Sequence, residues 1–174
     1  MNRPVHSVRC ATCADLHAIR AALAWALEWR APVPSQDPEA VVEQTGHAYL
    51  LEEWGGAGDT AAVAEIEGRA VGAAWYRLWT DAMHSYGYVD ASTPELGLGV
   101  DPRFRRRGIG TSLLASLLAR AEEQGVRSLS LSVERDNPAV LLYRKLGFER
   151  HADVANAWTM VKRLDVFSRT NRLP

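Results

Sequence analysis

Cysteine is scarce in this chain of 174 residues: there are two, Cys10 and Cys13, and neither has a Cys or His partner at metal-ligand spacing. That argues against a disulfide framework and against a zinc site, and no metal is expected. Long apolar runs are missing as well. The longest, around Ala21 to Leu27, is far too short to span a bilayer, and Met1-Asn2-Arg3-Pro4 leads into polar sequence with no signal peptide. A soluble, cytoplasmic protein without a membrane partner is the expectation. There is no internal repeat, no linker of disordered composition and no Gly-Lys-Ser/Thr tripeptide of a Walker loop. After Gly108 and Gly110, position 113 is Leu, so the G-x-G-x-x-G of a dinucleotide fold fails too.

Basic residues are nearly absent from the middle of the chain. Residues 31–102 hold two Arg against twelve Asp or Glu, a net of −10, whereas residues 1–30 carry +2 and residues 103–174 carry +7. Such a split predicts two unlike surfaces. The acidic part either frames a site for a cationic reactant or is a set of solvated faces. A nucleic-acid partner is not expected, because that acidic middle would repel phosphate while the basic residues cluster at one point.

What is present is α/β patterning. Val5 to Arg9 reads as a strand. Thr12 and Asp15 resemble a capping box opening a helix to about Arg30, which Pro32 and Pro34 end. A second helical stretch starts at Ser35 and Pro38 and runs through Val41, Val42, Tyr49 and Leu50. Ala61 to Ile66 and Ala70 to Trp79 are strands joined at Glu67-Gly68-Arg69, and Tyr86 to Val89 is a candidate short strand in the loop 81–93. Leu96 to Val100 is a strand, Gly108 to about Gln124 a helix, and Ser128 to Val133 an alternating strand. Asn137 opens a last helix, Gly147 ends it, and Ala157 to Leu164 closes the chain's strands.

The stretch from Glu95 to Phe148 carries the chemistry. Strand, Arg-rich turn and helix follow one another, so free backbone N–H groups and the positive helix end converge at one point. Arg105, Arg106 and Arg107 precede Gly108-Ile109-Gly110 directly. Glycine admits a phosphate where a Cβ would collide, and arginine supplies forked donors to its oxygens. A compact polyphosphorylated ligand is the expectation.

This segment resembles the acyl-CoA-binding core of the GNAT superfamily of N-acetyltransferases. The pattern Gln or Arg, two residues, Gly, one residue, Gly or Ala appears as Arg105 to Gly110, after Val100-Asp101-Pro102. The second family block, an Asn, then a helix with Tyr and Leu-Gly-Phe, appears as Asn137, Tyr143 and Leu146-Gly147-Phe148. The resemblance implies a single domain over residues 1–174. Its sheet would be mostly antiparallel with six to seven strands and a splayed central pair, flanked by about four helices. It implies acetyl-CoA as acyl donor and a primary amine of a small molecule or peptide as acceptor, and it allows a homodimer. The other class of function it leaves open is a non-catalytic acyl-CoA-binding regulatory module.

By the same resemblance, the CoA-binding residues are Leu98, Gly99, Val100, the turn from Arg105 through Thr111 (Arg105, Arg106, Arg107, Gly108, Ile109, Gly110, Thr111), and Asn137. Gly97 and Gly99 suit a strand that a ligand approaches closely. Tyr143 is the expected general acid toward the leaving thiolate, its other reading being a core aromatic. Glu95 is the expected general base, although a strand register shifted by one would turn it to the other face. Glu134, His84 and a water chain are the alternatives; Ser132 occupies the position where some relatives place a catalytic Glu and cannot serve alone. Cys10 and Cys13 read as small buried residues, and Trp25 and Trp29 as a core stripe. A tryptophan beside the loop 81–93 would point to the acceptor site.

Overall fold

The computed structural model describes residues 5–33 and 35–165. Pro34 and the residues 1–4 invoked above lie outside them. Seven strands form one sheet: β1 (Ser7–Cys10), β2 (Thr60–Ile66), β3 (Arg69–Arg77), β4 (Glu95–Val100), β5 (Ser128–Glu134), β6 (Glu149–Val154) and β7 (Ala157–Arg163). Their order is β1-β2-β3-β4-β5-β7-β6. Every neighbour is antiparallel except β4 and β5, which are parallel and share one pair, Glu95 with Ser130. The central pair therefore splays, as expected.

Four helices cover the sheet: α1 (Leu16–Leu27), α2 (Pro38–Gln44), α3 (Ile109–Glu123) and α4 (Ala139–Lys145). One face packs α1 and α2 through Ile19, Leu23 and Val42 on Val63, Ala73 and Trp75. The other packs α3 and α4 through Leu113, Leu117 and Tyr143 on Tyr76, Leu96, Leu129 and Leu131. The middle strands are rich in Ala and Gly because α1 comes very close. A Cβ built on Gly99 would lie 1.8 Å from the carbonyl oxygen of Ala22, and one on Gly97 would lie 2.4 Å from the Trp75 ring. The two strand glycines thus make room for protein on that face, where a ligand was expected.

Several expected boundaries move. The first helix ends at Leu27, short of Arg30, and the second stops at Gln44 before a turn at Gly46 (φ +71°) and a 3₁₀ turn over Ala48–Leu51. The candidate strand at 86–89 is loop. A strand absent from the expectation, β6, takes the sheet edge instead. Its sequence, Glu-Arg-His-Ala-Asp-Val, is almost wholly exposed, so no apolar alternation marks it, and its charges suit an unpaired edge. Cys10 and Cys13 are both exposed, not buried: Cys10 ends the opposite edge strand β1, and Cys13 begins the 3₁₀ turn Cys13–Asp15 that follows it. Among the described residues no helix is long and apolar enough to cross a membrane.

Candidate active site

The parting of β4 and β5 follows from their hydrogen bonds. Ser130 N–H donates to the Pro94 carbonyl at 3.0 Å, and Asp101 N–H reaches the opposite way to Val71 on β3, also at 3.0 Å. Strand alternation then turns the N–H groups of Leu98 and Val100 toward β5, beyond the single shared pair, where no strand meets them. Gly99 N–H faces β3. Of the three β4 residues expected to hold the donor, Leu98 and Val100 thus offer backbone donors, and Gly99 offers closeness to α1.

Between the parted strands lies an open cleft of about 1060 Å³, at the upper end of small-molecule sites. One end is the Arg–Gly turn. Asp101, fully buried, accepts from Arg103 N–H at 3.0 Å and so shapes the 3₁₀ turn Pro102–Phe104 that leads into it. Arg106 (φ +62°) and Gly108 (φ +85°) adopt the left-handed region, which frees the following backbone to face the cleft. Helix α3 makes its first bond from Ser112 N–H to the Gly108 carbonyl, so the N–H groups of Ile109, Gly110 and Thr111 have no intrahelical acceptor. A Cβ on Gly108 would meet nothing within 4 Å, as an open cradle requires. Converging N–H groups at a positive helix end fit a pyrophosphate.

The arginines divide. Arg105 is tied into the protein, donating to the carbonyls of Val100 (3.1 Å), Trp29 (2.8 Å) and Trp25 (2.9 Å). It fastens the turn to the end of α1. Arg106 lines the cleft with no side-chain hydrogen bond among the described residues, whereas Arg107 does not line it and lies over the Phe104 ring at 5.2 Å.

Asn137 lines the cleft, and its Oδ1 accepts from Ala139 N–H at 2.9 Å at the start of α4. Tyr143, one helical turn on, is 6% exposed, packs edge-on to Phe148 at 5.9 Å, and also lines the cleft. Burial pushes its phenol well above the usual tyrosine range. Its hydroxyl makes no hydrogen bond among the described residues, yet is not sealed from the cleft. The ring thus belongs to the core while the residue also borders the cleft.

Glu95 stands at the other end. Burial pushes its carboxyl above the usual range, opposed by the Gly87 N–H that donates to Oε1 at 2.8 Å. Ser85 and Trp79 stand close enough to lower its pKa slightly as well, yet among the described residues its buried Oε2 has no well-aligned hydrogen bond. The alternatives for a base are placed less well. Glu134 lines the cleft but is held by Trp29 Nε1 (3.0 Å) and Arg30 (2.7 Å), and the Arg30 hydrogen bond keeps it below its usual range. His84 stacks on Tyr88 at 4.5 Å and lines a smaller hollow next to the cleft.

Trp75, Trp79, Tyr86 and His47 wall the Glu95 end, so a tryptophan does stand beside the loop that spans 81–93. Trp25 is buried as expected, but Trp29 is half-exposed at the cleft. Of the twelve acids in residues 31–102, Glu95 alone lines the cleft. Several others are paired elsewhere, among them Glu39 with Arg20 and Glu65 with Arg9. Of the two readings of the acidic middle, the folded chain favours solvated and paired faces, with one buried carboxyl from it at the cleft.

Comparison with known proteins agrees with this geometry. The model of the acetyltransferase (GNAT) family matches residues 20–148. The chain is 30% identical over 135 residues to a mycothiol acetyltransferase of Saccharomonospora viridis, covering 67% of this chain and 44% of that protein. It is 32% identical over 111 residues to an L-2,4-diaminobutyric acid acetyltransferase of Nocardia farcinica, covering 60% and 50%. The chain thus spans about half the length of these relatives. Among solved structures, the PaiA N-acetyltransferase of Thermoplasma acidophilum in complex with coenzyme A superposes with a TM-score of 0.67 at 20% identity, covering 91% of this chain and 99% of that one. A ribosomal-protein-alanine N-acetyltransferase of Brucella melitensis gives 0.63 at 28% identity, covering 91% and 99%. With its splayed strand pair, glycine turn and matching family model, this chain belongs to the GNAT family of acetyltransferases.

Proposed function

We propose that the chain is an acetyl-CoA-dependent N-acetyltransferase, one catalytic domain that passes an acetyl group directly to a primary amine. The observation that carries this reading is the pairing, in one cleft, of a buried carboxyl at Glu95 with an unbonded phenol at Tyr143. A binding module without chemistry has no need of either group.

The donor's pyrophosphate is held by the N–H groups from Gly108 to Thr111 and by Arg106, and its amide arm by the N–H groups of Leu98 and Val100. Asn137 offers its side-chain amide from the start of α4. An aliphatic ammonium has a pKa of about 10.4, so about one molecule in a thousand is nucleophilic at neutral pH. Glu95, raised by burial, takes the proton. The amine nitrogen then attacks the thioester carbonyl, and an N–H of β4 stabilises the oxyanion. As the C–S bond breaks, Tyr143 O–H gives its proton to the thiolate, and the second proton of the attacking nitrogen returns through the cleft to the phenolate, leaving a neutral amide. The amide and free CoA thiol leave, and one proton goes to solvent.

The reacting group therefore arrives as a cation, although the cleft is not an acidic funnel. Release of CoA thiol in the presence of an amine panel tests the reading. Tight acetyl-CoA binding with no release for any amine would favour the binding module.

A further inference from the structure

Resting on the reading of the Glu95 end as the acceptor site, we infer that the acceptor carries an anionic group, such as a carboxylate, beside its reacting amine, and that Arg77 recognises it. Arg77 and Glu95 are direct partners across β3 and β4, and both line the cleft. Side chains so placed have Cβ atoms about 5 Å apart and, with opposite charges, ordinarily pair. Here they diverge. The nearest acid to Arg77 is Asp59, 3.3 Å from its Nε, while Glu95 turns the other way to Gly87.

Each partner is left incomplete by this divergence. Among the described residues, the buried side-chain polar atoms without a hydrogen bond are Arg77 Nε, Glu95 Oε2, His47 Nδ1 and Ser130 Oγ. His47 walls the same end of the cleft, and Ser130 is the residue paired with Glu95. Buried polar atoms seldom lack partners, and three of the four belong to residues that line the cleft, although Arg77 Nε itself lies against Asp59.

Arg77 is also built to hold still. Its Nη1 donates to the carbonyls of Leu50 and Glu52 at 3.0 Å each, and its guanidinium lies 5.0 Å from the Trp79 ring. Asp59 is engaged by the Gly55 and Gly56 N–H groups and offsets part of the charge without an aligned bond to Nε. Among the described residues Nη2 has no hydrogen-bond partner, and it is not sealed from the cleft. A fixed, partly buried guanidinium with donors to spare is suited to a carboxylate. An acceptor bearing both charges meets Glu95 with its amine and Arg77 with its anion, its carbon skeleton against Trp75 and Trp79.

The test is calorimetry on the protein saturated with CoA, titrated with matched pairs: β-alanine and β-alaninamide, 2,4-diaminobutyrate and its amide, phenylalanine and phenylalaninamide. Thiol release from acetyl-CoA is measured on the same pairs. The carboxylate of at least one pair is expected to bind about tenfold more tightly than its amide. In Arg77→Gln that ratio falls toward one, while Arg77→Lys, which keeps the charge and is the variant to use if the first does not fold, retains part of it. Equal binding within every pair, preference for the amides, or no binding of any member at millimolar concentration overturns the inference. Carboxylate preference without thiol release would sustain it and sink the enzyme reading. Equal thiol release from both members of each pair would do the reverse.

Discussion

The backbone N–H of Gly87 donates to Oε1 of Glu95 at 2.8 Å, and this bond fastens the loop between β3 and β4 over the buried carboxyl. The approach is too close for any side chain. A Cβ on Gly87 would lie 2.6 Å from the carbonyl carbon of Leu131 and 2.7 Å from Ser132 N.

Gly87→Ala should therefore push the loop off β5 and let water reach Glu95. Burial is the larger influence on this carboxyl and raises its pKa; the Gly87 bond lowers it by less. Losing both should move the acidic limb of kcat/KM for the amine to lower pH, with a lower plateau. A pH–rate profile identical to wild type in the folded variant would show that the loop does not govern Glu95.

Glu95→Gln should lower kcat by about 10²–10⁴-fold, the usual worth of a general base. It should also stabilise the protein at neutral pH. The folded-state pKa of Glu95 lies above the ordinary 4.5, so the folded state holds its proton longer than the unfolded one. The contribution of Glu95 to wild-type stability is thus fully present below about 4.5 and is lost as pH rises through the folded value. Urea unfolding should show the variant ahead at pH 7.5 and level with wild type near pH 4. Equal stability of the two at pH 7.5 would mean that Glu95 is hydrated.

Tyr143→Phe removes a hydroxyl that has no protein partner and keeps the ring against Phe148. Melting temperature should hold or rise, while kcat falls about 10²-fold or more with little change in the acetyl-CoA KM. Because burial holds the phenol far above its usual range, Tyr143 should not set a basic limb below about pH 10. Undiminished turnover where chemistry limits the rate would reduce Tyr143 to packing.

Arg105→Ala and Arg106→Ala should differ in kind. The first breaks three bonds to backbone carbonyls and should cost about 1.5–3 kcal/mol of folding stability, with CoA affinity falling as a consequence. The second should leave stability unchanged and weaken CoA binding about tenfold or more through one lost charge-assisted contact. Arg107→Ala should do neither. Chemical unfolding beside CoA titration separates the three, and a stable Arg105→Ala protein would contradict the tie.

What the sequence discloses is what depends on neighbours in the chain. The turn from Arg105 to Gly110 and the α3 stripe of Leu113, Leu114, Leu117 and Leu118 are local patterns, and the structure keeps them. What stays hidden depends on distant partners. Nothing around Gly99 announces the Ala22 carbonyl, and nothing around Arg105 announces the carbonyls of Trp25 and Trp29. The strand β6 escapes because a charged edge strand buries almost nothing and so leaves no alternation to read. Glu95 was ambiguous by one residue of register, a choice that pairing with Arg77 across β3 resolves. The unpaired atoms of Arg77 and His47 leave no trace in sequence, since orphanhood is a property of three-dimensional surroundings.

The single rung between Glu95 and Ser130 has a mechanical consequence. It leaves two rafts, β1 to β4 and β5 to β7, whose backbones pair at one place beside Glu95, with the Thr93–Ser128 hydroxyl contact and the packed Gly87 loop as further moorings. A donor whose amide arm lies along Leu98 and Val100 acts as a surrogate strand and stiffens the mooring, so the wall that receives the amine is completed by the thioester's own carrier. Turnover should then be ordered, donor first and amine second. Amide hydrogen exchange in β4 and β5 should slow on addition of CoA alone, and an amine that bound equally well without CoA would break that order.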